Sequence, residues 1–164
     1  MENDFLLNFS VSREDKAIHV DRVFEAPLQR VWAAWTESQL LDQWWAPKPW
    51  RAETQKMNFN PDGSWLYVMI GPDGEKHWAR TDFQSIVHLK SFSSRDAFSD
   101  ENGVINNELP QSLWTVRFSE YGESTLVSIN IEYDSLSDLE ASLEMGFQEG
   151  FTDGMRNLDE FLEF

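Results

Sequence analysis

The chain has 164 residues, enough for one ordinary domain in which roughly 70% of the unfolded surface can be buried. Thirteen Lys and Arg against 29 Asp and Glu leave a formal net charge of -16, which repels nucleic-acid phosphates and anionic lipid headgroups and argues against either as a partner. The absence of cysteine excludes disulfides and thiolate catalysis, and a zinc site would have to draw on three histidines and carboxylates, so neither a metal nor a cofactor is expected.

Met1 to Asp4 carries no basic stretch ahead of an apolar run, and no segment approaches the roughly 20 apolar residues of a spanning helix, so a cytoplasmic protein is expected. Phe5 to Val11 reads either as an extra strand or as a loose arm within residues 1–15. A single domain over residues 16–164 follows. Lys16 to Phe24 alternates as a half-buried strand, with Ile18, Val20 and Phe24 on one parity and His19 and Asp21 on the other. Pro27 suits the first turn of a helix. Val31, Trp32, Trp35, Leu40, Leu41 and Trp44 then recur at helical spacing, which predicts two short helices with a break near Thr36 to Ser38, ended by Pro47 and Pro49.

Short strands separated by turn signals come next. Ala52 to Phe59, Ser64 to Ile70 and His77 to Val87 are divided by Asn60-Pro61-Asp62-Gly63 and Gly71-Pro72-Asp73-Gly74, and therefore read as antiparallel hairpins. Leu89 to Phe98, Leu113 to Ser119 and Thr125 to Tyr133 continue the meander. From Ser137 the period becomes helical. Ser137 with Glu140 reads as a capping box, and Leu139, Leu143, Phe147, Phe151, Met155, Leu158 and Leu162 hold one face of a single helix for about seven turns. Residues 118–164 hold 12 acids and one base, Arg156, so the outer face of this helix is either simply solvated or a docking face for a basic partner.

Gly146, Gly150 and Gly154 form a bare strip on that helix, each at about 1 kcal/mol relative to alanine. Two readings stay open: close approach of the helix to its neighbours, or room for a ligand between helix and sheet. Aromatic content is high, at 8 Trp, 12 Phe and 3 Tyr, more ring surface than a small core needs. No metalloprotease HExxH, nucleophile elbow, phosphate loop or dinucleotide fingerprint is present, so no catalytic residue is assigned. His19 is expected to face solvent, and His77 and His88 fall at strand edges. Arg22 shares the parity of Ile18, Val20 and Phe24, so its head points inward toward a carboxylate or a ligand anion, a candidate buried polar anchor. Trp45 and Trp50 flank the prolines where a pocket mouth could lie.

Specific runs in the chain match a known pattern. Arg22-Val23-Phe24-Glu25-Ala26-Pro27, Val31-Trp32, Ala34-Trp35-Thr36 and Leu41-x-x-Trp44-Trp45-Ala46-Pro47 resemble the opening signature of the family named after the activator of the 90-kDa heat-shock protein ATPase. Asp62-Gly63-Ser64-Trp65-x-Tyr67-x-Met69-x-Gly71-Pro72-Asp73-Gly74 resembles that family's second hairpin, and Gly150-Phe151-x3-Met155-x2-Leu158-x3-Leu162 its final helix. The resemblance spans roughly residues 16 to 164. It implies an α+β START-like helix-grip fold of the SRPBCC superfamily: a curved antiparallel sheet of about six or seven strands around a long C-terminal helix, often enclosing an apolar cavity. Where family members often carry a further glycine, an aromatic and another glycine, this chain has Asp62, Ala79 and Thr81, changes that would reshape a pocket more than the fold. The separate N-terminal domain of the eukaryotic co-chaperone has no counterpart here, so co-chaperone activity is not implied.

On this fold the expected ligand-binding wall is Trp45, Trp65, Tyr67, Met69, Phe83, Trp114 and Val116, faced by Phe147, Phe151 and Met155 of the helix; the same residues also suit a filled core. The first expectation is a binding module for a small apolar or aromatic ligand. The alternatives are a protein-interaction (chaperone-associated) module without a small ligand, and a cyclase- or hydrolase-like enzyme using Tyr67 or Arg22 as its inward polar group. Either a monomer or a homodimer is compatible with the sequence.

Overall fold

The computed structural model describes residues 7–163. Strands β1 (Leu7–Ser12) and β2 (Ala17–Phe24) open the chain and are followed by helices α1 (Leu28–Thr36) and α2 (Ser38–Trp44). Strands β3 (Arg51–Met57), β4 (Ser64–Ile70), β5 (Lys76–Val87), β6 (Ser91–Ser99), β7 (Ser112–Tyr121) and β8 (Ser124–Tyr133) follow, and α3 (Leu136–Glu144) and α4 (Phe147–Leu162) complete the order. All neighbouring strands are antiparallel, in the sheet order β1-β2-β8-β7-β6-β5-β4-β3. The sheet therefore has eight strands, more than the six or seven expected, because Leu7–Ser12 adds an edge strand on β2. Phe5 and Leu6 lie outside the described residues.

The tryptophan spacing of the first helical segment translates directly into structure. The break falls at Glu37, whose extended backbone ends α1 and caps α2. Val31, Trp32 and Trp35 of α1 and Leu41 and Trp44 of α2 are then buried against the sheet. The turn between β3 and β4 depends on glycine, because a Cβ at Gly63 would lie only 2.1 Å from the Asn58 carbonyl oxygen.

Two expectations about the C-terminal helix need correction. It is not continuous: Gly146, at φ +89°, ends one helix and caps the next. Such a backbone angle is strained for any residue with a side chain, so the apolar period runs through a break that the glycine permits. Nor is Ser137 the cap. Ser135 holds the extended conformation and accepts a 3.0 Å hydrogen bond from the Asp138 amide, which leaves Ser137 inside the first turn.

The second half of α4 is held firmly. Asn157 donates to the carbonyls of Trp44 (3.3 Å) and Ala46 (2.9 Å), satisfying free acceptors at the end of α2. Arg30 of α1 donates to the last carbonyls of α4, at Phe161 and Leu162. Gly154 lets the two helices approach: a Cβ there would meet the Trp45 carbonyl oxygen at 3.4 Å. The close-approach reading of the glycine strip thus applies at Gly154.

Candidate functional site

Between the first half of α4 and the sheet lies a cavity of about 570 Å³. Its roof is Gly146, Phe147, Gly150, Phe151 and Gly154, and its end wall is formed by Trp45, Pro47 and Trp50 after α2. His77 and Met145, both exposed, stand at its rim. At Gly150 the nearest atom to an added Cβ is Pro47 Cγ at 3.8 Å, so this glycine borders free space as well as a neighbour. Gly154 thus serves close approach, whereas Gly150, one turn earlier, borders open space.

The register of the sheet builds the floor in rows. One row runs Tyr67, Ala79, Phe98 across β4, β5 and β6. The next runs Thr81, Asp96, Ser112, Tyr133 across β5, β6, β7 and β8. The first row is largely apolar; the second is a polar stripe. Asp96, Ser112 and Tyr133 all line the cavity, so a carboxyl group and two hydroxyls stand in an otherwise aromatic enclosure.

Asp96 is the centre of that stripe. Ser94 Oγ donates to its Oδ1 at 2.9 Å, and the Thr81 hydroxyl donates as well. Burial nevertheless pushes its carboxyl up to about 7, with Asp82 adding to the rise while the Ser94 and Thr81 bonds work against it. Asp96 is only partly buried and lines the cavity. Its charge in turn reaches its neighbours. Burial first, and Asp96 second, push the Tyr67 phenol up, although the hydrogen bond from Trp45 opposes this. Tyr133 is likewise raised, chiefly by burial. At neutral pH Asp96 is divided between acid and carboxylate, so it can donate a hydrogen bond, accept one, or hold a cation.

The indole groups are ordered by the same polar atoms. Trp45 Nε1 donates to Tyr67 Oη at 3.0 Å, Trp114 Nε1 to Ser112 Oγ at 3.0 Å, and Tyr133 and Ser142 share a hydroxyl bond of 2.8 Å. Phe147 and Phe151 stack at 5.4 Å, with Trp114 edge-on to both. The walls are pre-formed by mutual packing and hydrogen bonding.

Of the residues expected on the wall, Trp45, Tyr67, Met69, Trp114, Phe147, Phe151 and Met155 line this cavity. Trp65, Phe83 and Val116 are instead packed in the core. Trp65 lies behind Tyr67, stacked on it at 4.0 Å, with its indole N–H directed to Thr54 Oγ1. Phe83 and Val116 share the inward parity but sit further along their strands, where Phe83 meets Phe59 and Phe92 and Val116 is fully buried. Arg22 is also buried away from the cavity. It forms an ion pair with Asp159 of α4, and its guanidinium lies 5.1 Å from the Phe24 ring centre. It therefore anchors helix to sheet. Burial pushes the Asp159 carboxyl up, against the pull of Arg22.

Asp96 was not among the expected residues. Its signal lay in β6, where Phe92, Ser94, Asp96 and Phe98 share a parity and Phe92 is buried. A lone acid next to Arg95, two residues after Ser94, reads more readily as the solvent face, and only the pairing with Thr81 and Ser112 brings it inside. Among the described residues no group of three or more His, Asp or Glu is placed to hold a metal ion, and no helix is long and apolar enough to cross a membrane.

An antiparallel sheet closed by a C-terminal helix over an aromatic cavity defines the class: this is a START-like helix-grip protein. More particularly, the chain belongs to the family described as Activator of Hsp90 ATPase homolog 1-like protein, whose family model matches residues 25–163. Among solved structures, it is similar to a Mycobacterium smegmatis protein at 28% identity and a TM-score of 0.88, covering 94% of this chain and 95% of that one. It is also similar to an Arthrobacter aurescens protein at 28% identity and a TM-score of 0.91, covering 96% and 92% respectively. A Nitrosomonas europaea protein at 23% identity shares the fold, with a TM-score of 0.79 over 91% of this chain and 95% of that one. A search of curated proteins found no significant match.

Proposed function

We propose that the chain is a binding module for a small apolar or aromatic molecule held between the sheet and α4. The observation that carries this reading is the cavity of about 570 Å³, within the range of ligand pockets and lined mainly by rings with a few polar atoms converging on its floor. Met69 and Met155 add deformable surface to the walls. Helix-grip folds serve varied functions, so the reading rests on this cavity and not on the family alone.

The test has two parts. Native mass spectrometry beside the denatured mass shows whether a small molecule co-purifies, and a thermal-shift screen of neutral apolar and aromatic compounds shows whether one stabilises the fold, since a ligand of the native state raises its stability. Ala79→Phe, which places a ring on the floor, and Gly150→Leu, which fills under the roof, are each expected to abolish those shifts while the variants melt cooperatively. A clean mass together with no thermal shift of the wild type, or shifts that survive both substitutions, overturns the reading.

A further inference from the structure

The polar stripe on the cavity floor carries the argument from a cavity to a class of ligand. Among the described residues that line the cavity, Asp96 is the only acid, and neither lysine nor arginine lines it. The hydrogen-bond donors to Asp96 are hydroxyls, Ser94 at 2.9 Å and Thr81, which accommodate its charge without neutralising it. The groups facing it from adjoining strands are also uncharged. Thr81 lies on β5, Ser112 on β7, Tyr67 on β4 and Tyr133 on β8, while Asp82, next to Thr81 on the opposite parity of β5, acts on Asp96 only through its charge. The nearby cations are engaged elsewhere: Arg80 pairs with Asp82, and Arg95 with Asp134.

A carboxylate accepts about four hydrogen bonds, and those from Ser94 and Thr81 leave capacity for a donor arriving from the cavity. The surroundings favour a positive one. Trp45 lies 6.4 Å from Tyr67 and 6.2 Å from Trp114, ring centre to ring centre, and the faces of such rings attract cations. The net charge of -16 adds a long-range field of the same preference.

We infer that the cavity takes a ring compound bearing a protonated amine, with its nitrogen at Asp96 and its ring among Trp45, Tyr67 and Trp114. This rests on the binding role proposed above and specifies its ligand. The amine supplies the positive partner that the protein withholds from Asp96, and the rings supply shape and apolar contact. The ordinary alternative, a neutral carbonyl compound accepting a hydrogen bond from protonated Asp96, has the opposite dependence on pH.

Three probes with one ring and different charge separate these cases: tryptamine, the neutral alcohol tryptophol, and indole-3-acetate, each titrated calorimetrically into the wild type and into Asp96→Asn. Tryptamine is expected to bind at least about tenfold more tightly than tryptophol at pH 8, with indole-3-acetate weakest, since a hydrogen bond to a charged group is worth that much. In Asp96→Asn the advantage of the amine collapses while tryptophol still binds, which also verifies that the variant keeps its cavity. In the wild type, tryptamine affinity rises between pH 6 and pH 8 as the carboxylate forms, and His77→Gln, which removes the titratable group at the rim, leaves that rise in place. Tryptophol binding as tightly as tryptamine, an amine preference that survives Asp96→Asn, or affinity that falls over this pH range overturns the amine inference and leaves the apolar cavity standing. If none of the three indoles binds the wild type, the amine inference falls, and the binding role falls with it only when the thermal-shift screen and the native mass are also blank.

Discussion

The inward face of the sheet carries aromatic rings at both ends, yet one end is filled and the other encloses space. At the filled end Trp32 of α1 stands edge-on to Phe59, Phe92 and Phe118, at 6.0, 6.2 and 5.0 Å. At the other end Trp45, Trp114, Phe147 and Phe151 meet at similar distances and angles around the cavity. Ring chemistry does not distinguish them. The difference lies in what covers the sheet: α1 contributes Val31, Trp32 and Trp35, whereas the start of α4 contributes Gly146 and Gly150, above a cavity lining that includes the small residues Ala79 and Ala97. A cavity arises here from side chains withheld at a few positions, not from a looser arrangement of rings.

The largest effect that would break this comparison is expected at the filled end. Trp32→Ala removes a buried ring from contact with three phenylalanines. A loss of roughly 3–5 kcal/mol is expected by denaturant unfolding. A loss below about 1 kcal/mol would mean that the two ends are equally loose.

Next in size is the pH dependence that Asp96 imposes. Its folded value of about 7 lies above the ordinary 3.8, so between those values the folded protein binds more protons than the unfolded chain. The stabilising contribution of the neutral acid is complete below the ordinary value and is lost as pH rises through about 7. Asp96→Asn, which has no such proton to lose, should therefore be more stable than the wild type at pH 8, by an amount on the order of a few kcal/mol, with the gap closing near pH 4. Melting curves of the two proteins across this range test it. A gap that is constant with pH would place Asp96 in solvent and remove the polar stripe from the cavity.

Phe147 gives a smaller effect. It is only partly buried, because one side of its ring faces the cavity, while Phe151 and Trp114 support the other. Phe147→Ala is expected to cost about 1–2 kcal/mol, well under the cost at Trp32, and to weaken the binding of ring compounds by more than it weakens the fold. Unfolding and calorimetric titration of the same variant sharpen the contrast between a ring that fills and a ring that lines. Equal losses for Phe147→Ala and Trp32→Ala would erase it.

What could be read from residues alone follows the same division. The break at Glu37, the hairpins around Gly63 and Gly74 and the inward parities of β4, β7 and β8 were legible, because each depends on local backbone preference or on a period of two. Parity assigns a residue to a face but not to a position along the strand. Val116 and Trp114 therefore looked alike, although one lies under α1 and the other beside the cavity; only the pairing of β6 with β7, which matches Phe92 to Val116 and Ser94 to Trp114, separates them. The break at Gly146 was hidden for a related reason. Leu143 and Phe147 keep helical spacing across it, so the apolar stripe runs on where the backbone does not. Asp96 was concealed by its own chemistry, since a carboxyl group inside an aromatic enclosure is what polarity argues against until the hydroxyls of Ser94 and Thr81 are in place beside it.

The smallest expected effect addresses the withheld side chains directly. Gly150 lies within α4 at helical backbone angles, and an added Cβ meets nothing closer than Pro47 Cγ at 3.8 Å, an ordinary contact. Gly150→Ala should therefore be stabilising by about 0.5–1 kcal/mol, through the lower entropy of the unfolded chain and better helix propensity. Gly154→Ala should gain less, because its Cβ would press on the Trp45 carbonyl oxygen at 3.4 Å and α4 is fixed there by Asn157. The order of the two is the informative result. If Gly150→Ala gains stability while Gly154→Ala does not, glycine at position 154 is required by packing, whereas glycine at position 150 is retained at a cost to the fold, and the space it keeps open is what that cost maintains. If both substitutions destabilise equally, the roof is packed as tightly as the helix junction, and the contrast between the two ends of the sheet no longer holds.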